Sequence, residues 1–237
     1  MKDARRVVIT GAGQGLGLEW VRQEIAAGAT VLATARDPEG SAGLVALQRE
    51  AGAERLSILP MDVADDAAVE RGARAAADRL GAVDVLVNNA GVFGPRDDRA
   101  LAGPTSEVGR VLEINAIGPY RVTRAFLPLL RQGAQPRVLF MTSRMGSIGD
   151  RPSGGSYAYR MSKSALNMLA ANLAHDLRAD GIVCLLFHPG WVATRMGGKQ
   201  APIQAPDAVA GMRRVAAGAT LEQSGAFFDH QGAVVPW

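Results

Sequence analysis

The sequence has few of the residues that build disulfide frameworks, metal centres or nucleic-acid surfaces. Its single cysteine, Cys184, excludes an internal disulfide framework and a cysteine-based zinc site, and its apolar neighbours predict an inert thiol in a buried strand. Only three histidines occur among 237 residues, and no second ligand lies near His188 in sequence. A net charge of +3 without a dense basic run gives no reason to expect nucleic acid. We therefore expect no metal and no nucleic-acid partner.

Long apolar runs are also missing. No stretch is long enough to span a membrane, and the N-terminus lacks the apolar segment of a signal peptide. Hydrophobic residues make up 48% and charged residues 21% of the chain, which is typical of globular proteins that stay in water. We expect a cytoplasmic protein with no membrane partner.

What the sequence has instead is an alternation of short apolar runs and longer alanine-rich stretches. The apolar runs predict strands at 6–10, 30–35, 56–61, 83–87, 137–142, 182–187 and 226–228. The longer stretches predict helices at 15–27, 41–51, 65–80, 104–130, 156–179 and 205–217, with a kink at Gly118-Pro119. This alternation predicts an α/β fold: a doubly wound parallel sheet of about seven strands flanked by helices, in one domain over 1–237. Ligands bind such sheets at the carboxyl edge.

A glycine-rich turn joins the first predicted strand to the first predicted helix. Glycines there permit a tight turn and a close approach of the backbone to a pyrophosphate, which then lies at the helix N-terminus. Its placement between strand and helix makes this turn the predicted cofactor-phosphate site, against the alternative of a merely flexible turn. It comprises Gly11, Gly13, Gln14, Gly15, Leu16 and Gly17.

The residues after the second and third predicted strands are expected to bind the ribose and the adenine of a dinucleotide. Arg36 follows the second strand directly and favours the 2′-phosphate of NADP(H), whereas an acidic residue there would favour the ribose of NAD(H). Asp37 comes next, so a boundary shift of one residue would restore NAD(H). Asp62, followed by Val63, ends the third strand and is placed to accept from the adenine amino group; the alternative role of helix N-cap is better filled by Asp65.

Tyr159 and Lys163 stand four residues apart in a predicted helix and therefore share one face. A nearby ammonium lowers the pKa of a phenol, which suits a general acid for a carbonyl oxygen or a base for an alcohol. Alone, the spacing is weak evidence, because exposed helix pairs often show it. Ser143 ends the fifth predicted strand at the carboxyl edge, which favours it over the later serines of the following loop as a partner of the reacting oxygen.

These segments resemble the short-chain dehydrogenase/reductases, and the match extends over nearly the whole chain. Each motif is modest alone, but their order and spacing together are specific. The segments 143–149, 157–167 and 188–194 look like the branch of sniffer-type carbonyl reductases and C-factor-like proteins. The matching motifs are Thr10 to Gly17, Asp62, Asn88-Asn89-Ala90-Gly91, Asn115, Ser143, Tyr159-x-x-x-Lys163, and Pro189-Gly190 with Thr194.

The resemblance implies a Rossmann-type fold and a role for each matched residue. Tyr159 would be the general acid/base, Lys163 would hold the nicotinamide ribose and lower the pKa of Tyr159, and Ser143 would bond the substrate carbonyl. Asn115 would anchor a water in a proton relay from Lys163. Further cofactor contacts are implied for Asn89, Ala90, Gly91, Pro189, Gly190, Val192 and Thr194.

The resemblance therefore implies an NADPH-dependent oxidoreductase that reduces a ketone or an aldehyde to an alcohol. Gln14 departs from NADP-preferring relatives, which often carry a basic residue there, so Arg36 carries most of the discrimination against NAD(H). Two alternatives stay open: a nucleotide-binding signalling protein with little turnover, and an NAD-linked alcohol or hydroxysteroid dehydrogenase.

Substrate identity and assembly lie further from the residues. The substrate pocket would lie between the loops 91–103, 144–156 and 191–205, whose shapes the sequence does not predict. Relatives indicate a homodimer or homotetramer through the helices carrying Asn115 and Tyr159. A monomer is also compatible, because monomeric carbonyl reductases exist.

Overall fold

The computed structural model, which describes residues 4–95, 101 and 103–237, contains a seven-stranded parallel sheet. The strands are Arg6–Ile9 (β1), Thr30–Ala35 (β2), Leu56–Pro60 (β3), Val85–Asn88 (β4), Arg137–Met141 (β5), Val183–His188 (β6) and Phe227–Asp229 (β7). Their order across the sheet is β3-β2-β1-β4-β5-β6-β7, with every neighbouring pair parallel. This is the predicted doubly wound sheet, and its order reverses between β1 and β4, where such sheets bind ligands.

Helices cover both faces of the sheet. They are Gly15–Ala26 (α1), Ala42–Ala51 (α2), Asp66–Leu80 (α3), Thr105–Leu112 (α4), Gly118–Leu130 (α5), Tyr157–Asp176 (α6) and Ala205–Gly218 (α7). Helix α3 begins and ends at the residues that the sequence predicted. The carboxylate of Asp65 accepts from the N–H of Ala68 at 3.1 Å, and Gly81 ends the helix with a φ of 68°. Among the residues described, no helix is both long and apolar enough to cross a membrane.

Successive side chains of each strand enter opposite cores. In β1, Val7 and Ile9 join the core under α1, α2 and α7, whereas Val8 joins the core under α3, α5 and α6. Both faces of the central strands are therefore apolar, which is why they occur as continuous apolar runs in the sequence. Cys184 on β6 is fully buried in the second core, and burial raises the pKa of its thiol to about 12, as expected of an inert thiol.

The predicted helix at 104–130 is interrupted slightly earlier than expected. A π-helical turn, Glu113–Ile117, separates α4 from α5, so the irregularity precedes the Gly118-Pro119 pair. Pro119 has no N–H to give to the carbonyl of Asn115 four residues earlier. The N–H of Gly118 donates to the carbonyl of Glu113, five residues back, which is the π-helical rather than the α-helical pattern. The other predicted elements agree with the structure to within a few residues at each end.

Asp84 ties the amino ends of the central strands together. Its carboxylate accepts from the backbone N–H of Arg6 at 2.7 Å, from the Arg6 guanidinium at 2.8 and 3.0 Å, and from the N–H of Ala134 at 2.7 Å. Burial raises the pKa of Asp84, but the hydrogen bonds from Arg6 and Ala134 outweigh burial and hold the pKa below its ordinary value of 3.8.

Replacing Asp84 by Ala is expected to lower the free energy of unfolding at neutral pH by about 2 kcal/mol, because charge-assisted hydrogen bonds are lost. Since the folded pKa lies below the unfolded one, this stabilisation is complete above the unfolded pKa and disappears as the pH falls through the folded pKa. Urea unfolding at neutral pH and just below pH 3.8 should show that acid lowers the free energy of unfolding less in Asp84→Asn than in the unchanged protein. Asp78→Asn, at an exposed position of α3, is the control. An equal decrease in the free energy of unfolding between the two pH values in all three proteins would contradict this assignment.

Candidate active site

The carboxyl edge of the sheet holds a cleft of about 550 Å³, within the size range of small-molecule sites. The segments that follow β1 to β6 all line it, because parallel strands end at the same edge. Every predicted cofactor residue except Gly190 and Val192 lines this cleft: Gly11, Gly13, Gln14, Gly15, Leu16, Gly17, Arg36, Asp62, Val63, Asn89, Ala90, Gly91, Tyr159, Lys163, Pro189 and Thr194.

The glycine loop is held against the end of β4. The side-chain amide of Asn89 donates to the carbonyls of Thr10 and Gly11 at 2.9 and 3.0 Å. The Thr10 hydroxyl accepts from the N–H groups of Asn89 and Ala90, each at 3.1 Å. A Cβ on Gly11, whose φ is 64°, would lie 2.7 Å from the Cα of Ala90, so this approach requires glycine. The N-terminus of α1 lines the cleft beside this loop, where free backbone N–H groups suit a phosphate.

Arg36 and Asp37 both line the cleft, but they differ in what holds them. The Asp37 carboxylate accepts from the N–H of Gly40 at 2.9 Å, and the Asp37 carbonyl accepts from the Ser41 hydroxyl at 2.8 Å. Arg36 forms no hydrogen bond or ion pair with any residue that the structure describes. Asp37 is therefore committed to a turn, whereas the Arg36 guanidinium is available to an anion. Ser41 also lines this corner, beside Gly13, although the sequence marked it only as the start of a helix.

Asp62 occupies the same cleft at the end of β3. One of its carboxylate oxygens accepts from the N–H of Ala64 at 3.0 Å. Within the described part of the chain, its other oxygen is left for a donor such as an adenine amino group. Asp65 caps the helix α3, as the sequence predicted, so Asp62 is not needed in that role.

Tyr159 and Lys163 lie one turn apart on α6 and are only 8% and 5% exposed. Ser143 comes just after β5, and its hydroxyl lies close enough to the phenol of Tyr159 to lower the pKa of that phenol. The Lys163 ammonium donates to the carbonyl of Met141 at 2.7 Å and lies 5.7 Å from the centroid of the Tyr159 ring. The structure therefore brings these three predicted residues together. Met141 takes part through its backbone, which no pattern of side chains reveals.

Burial shifts the pKa values of this pair in opposite directions. It raises the pKa of Tyr159 to about 12, against the lowering effect of the Ser143 hydroxyl. It lowers the pKa of Lys163 to about 8. The lowered phenol pKa expected from Lys163 is thus not found, because the loss of water around the phenolate outweighs the stabilisation that its neighbours supply. Tyr159 is a protonated donor at neutral pH.

A short 3₁₀ turn, Arg144–Gly146, docks the end of β5 onto α6. The carbonyl of Gly146 accepts from the Ser164 hydroxyl at 2.9 Å and from the Asn167 amide at 3.2 Å. A Cβ on Gly146 would lie 2.8 Å from the Cβ of Lys163, so the turn and the helix are in close contact. This contact fixes the strand end that carries the serine relative to the helix that carries the tyrosine.

Asn115 lies fully buried in the π-helical turn. Its side-chain oxygen accepts from the N–H of Val92 at 2.8 Å. Its amide group donates to the carbonyl of Val92 at 2.8 Å and to the hydroxyl of Ser162 at 3.0 Å. Both amide protons are therefore used inside the protein, and the side chain of Asn115 fixes the segment after β4. The backbone carbonyl of Asn115 lacks its α-helical donor, because Pro119 has no N–H.

Gly190 and Val192 brace the segment above the cleft and do not line it. Val192 is buried and pairs with Ile203 through an isolated parallel bridge. Gly190, with a φ of 85°, packs against His230, whose Nδ1 would lie 3.3 Å from a Cβ on this glycine. The cofactor contacts expected of Gly190 and Val192 stay predictions, and both residues lie outside the lining of the cleft. Thr194, in contrast, lines the cleft as predicted.

Two of the three predicted pocket loops, 144–156 and 191–205, are described throughout. In the third, 91–103, residues 96–100 and 102 lie outside the described residues. Across the described ranges, no group of three His, Cys, Asp or Glu side chains is arranged to hold a metal ion.

Known proteins similar to this chain share its fold over most of its length. The family model described as short chain dehydrogenase matches residues 5–204. C-signal from Myxococcus xanthus is 54% identical over 160 residues, which make up 66% of this chain and 94% of that protein. The NADPH-bound carbonyl reductase from chicken fatty liver is 32% identical, with a TM-score of 0.91 over 99% of both chains.

The carbonyl reductase Sniffer of Drosophila melanogaster is 30% identical, with a TM-score of 0.93 over 99% of this chain and 100% of the fly protein. Both the sniffer-type and the C-factor-like resemblances of the sequence are thus reflected in its relatives. Because the family model covers residues 5–204 and two reductase structures match nearly the full length, the chain belongs to the short-chain dehydrogenase family.

Proposed function

We propose that this protein reduces a ketone or an aldehyde to an alcohol with NADPH. The observation that carries the proposal is the convergence of Ser143, Tyr159 and Lys163 beside the cleft that also holds the glycine loop. Both structural relatives named above are carbonyl reductases, one of them NADPH-bound, which supports the same reaction.

The residues of the cleft fit a phosphorylated dinucleotide. Gly11 permits a close backbone approach, and the N-terminus of α1 offers N–H groups for the pyrophosphate. Arg36 offers a guanidinium for a 2′-phosphate, and Asp62 offers a carboxylate oxygen for the adenine. Lys163 offers its ammonium to ribose hydroxyls. When bound, NADPH supplies the hydride for the reduction.

The protein supplies the proton and the stabilisation of charge. As the carbonyl is reduced, negative charge develops on its oxygen. In the proposed reaction Ser143 donates a hydrogen bond to that oxygen and Tyr159 transfers its proton to it. These interactions are strongest in the transition state, where the charge is largest, so they accelerate the reaction. Lys163 adds positive charge in a site with little water, where its field is felt more strongly than in bulk solvent.

Tyr159 must regain its proton after each turnover. Lys163 lies beside the ring of Tyr159. A Cβ built on Gly91 would lie 3.3 Å from the side-chain oxygen of Asn115 and 3.8 Å from the Lys163 ammonium, so Asn115 and Lys163 are close to each other. A water held by the backbone carbonyl of Asn115, which lacks its α-helical donor, would link Lys163 to solvent. This is the relay that the family resemblance implies.

A second candidate is a nucleotide-binding signalling role with little turnover. It is favoured by the 54% identity to C-signal of Myxococcus xanthus. A pure signal would not need Tyr159 and Lys163 together in a buried site. The two functions separate in a cell assay: Tyr159→Phe should leave a turnover-independent effect intact and should abolish one that depends on reduction.

Tyr159→Phe is expected to lower kcat/KM for the reduction of a carbonyl substrate by about 100- to 10,000-fold, the usual contribution of a positioned general acid. NADPH binding, followed by fluorescence titration, should change by less than about twofold, because the ring remains. Tyr157→Phe, at an exposed position two residues away, is the matched control and should keep full turnover. Near-normal turnover in Tyr159→Phe would show that the assigned mechanism is wrong.

Arg36→Ala is expected to weaken NADPH binding by about 10- to 100-fold, because a charge-assisted hydrogen bond to the 2′-phosphate is lost. NADH affinity should be unchanged, because NADH has no phosphate at that position. Fluorescence titration with both cofactors measures the ratio, and Arg49→Ala, at an exposed position on α2, serves as the control. An unchanged ratio would assign the discrimination to another residue.

NADPH affinity is expected to fall as the pH rises through about 8, because Lys163 loses its charge at its lowered pKa rather than near 10.5. Below that pH the ammonium is charged and binds ribose hydroxyls; above it the neutral amine is a poorer donor. The measurement is the dissociation constant of NADPH across this range. In Lys163→Arg the fall should move to higher pH, because guanidinium stays protonated. The same midpoint in both proteins would assign the titration elsewhere.

A further inference from the structure

We propose that Phe93 is a positioning residue for Tyr159, whose ring it holds in place and shields from water. This role rests on the proposed function only insofar as Tyr159 is the proton donor. Phe93 belongs to none of the motifs that carry the family resemblance, and it lies two residues after the Asn-Asn-Ala-Gly segment.

The contact between the two rings is a stacked one. Their centroids are 4.5 Å apart, and their planes are inclined by 23°. These values lie in the range of favourable offset stacking. A stacked neighbour restricts rotation of the tyrosine ring and removes water from the face that it covers. The charged group beside the same ring is Lys163, at 5.7 Å from the centroid.

The backbone on either side of Phe93 is held in place. On one side, Asn115 binds both the N–H and the carbonyl of Val92, each at 2.8 Å. On the other side, Gly94 adopts a φ of 80°, and a Cβ there would lie 2.8 Å from Cγ2 of Val111. A residue between two such anchors has little freedom to move, so the phenylalanine ring is delivered to Tyr159 in one position.

Through these contacts Asn115 also helps to position Tyr159 indirectly. Its side chain holds Val92, the next residue carries the ring, and that ring packs on Tyr159. The same packing contributes to the burial that leaves Tyr159 only 8% exposed and raises the pKa of its phenol to about 12. Loss of the ring should therefore let water reach the phenol and bring its ionisation closer to that of a free tyrosine.

The chain allows a direct spectroscopic test, because it has only three tyrosines. Replacing the exposed Tyr120 and Tyr157 by Phe leaves Tyr159 as the single source of phenolate absorbance. In this background the absorbance is followed from neutral pH to about pH 11, with circular dichroism recorded at each step to verify folding. Phe93→Ala removes the ring, and Phe93→Leu is the matched variant that keeps apolar bulk without stacking.

We expect little phenolate in the background protein across this range. In Phe93→Ala the absorbance should rise near pH 10, the ordinary value for tyrosine, and Phe93→Leu should fall between the two. If Phe93→Ala does not fold, the shift in Phe93→Leu carries the test. Titration curves that coincide in the folded variants and the background protein would overturn the proposal.

Kinetics on the otherwise unchanged chain add a readout of position. Phe93→Ala should lower kcat by at least about tenfold while the dissociation constant of NADPH changes by less than about twofold, and Phe93→Leu should recover part of the rate. An unchanged kcat in Phe93→Ala would contradict a positioning role, and full recovery of kcat in Phe93→Leu would contradict a role for stacking, because leucine keeps the apolar bulk without stacking. If the unchanged protein reduces no carbonyl in a broad panel, the proposed function fails, yet the absorbance titration still decides the role of Phe93.

Discussion

The docking of α6 onto the end of β5 is the contact on which the site depends. Lys163 crosses this interface to donate to the carbonyl of Met141, and Gly146 approaches the helix too closely to carry a side chain. The phenol and the ammonium therefore take their positions from α6, and the serine hydroxyl lies two residues after β5, next to the 3₁₀ turn that is docked onto that helix. Catalytic groups held on a helix are positioned more accurately than groups on loops, and transition-state stabilisation depends on that accuracy.

Burial shifts the pKa values of the pair at this interface in opposite directions and leaves its charge states at neutral pH unchanged. The same lack of water makes Tyr159 harder to ionise and Lys163 easier to discharge, and the pair consists of a neutral donor and a cation at neutral pH. A tyrosine and a lysine in water would hold these states too, but without the enhanced field that a dry site provides. The electrostatic properties of the pair therefore depend on its surroundings as much as on its spacing.

Buried polar side chains hold the loops around this interface by binding backbone groups at the strand ends. Asn89 holds the glycine loop and Asn115 holds the segment after β4, whereas Asp84 holds the amino ends of the central strands at the opposite edge of the sheet. Each satisfies N–H or carbonyl groups that a strand leaves unpaired where it ends, which would otherwise be costly to bury. The walls of the cleft are thus held by hydrogen bonds within the protein itself.

The sequence by itself determined the alternation of strands and helices, the parallel sheet, the glycine loop and the order of Ser143, Tyr159 and Lys163, because these depend on local periodicity and on strands ending at one edge. Only the tertiary structure decided the stacking of Phe93 on Tyr159 and the direction in which the phenol pKa moves. These depend on contacts between residues distant in the chain and on the water that packing removes. A spacing of four residues states which groups are neighbours, but not how much solvent remains between them.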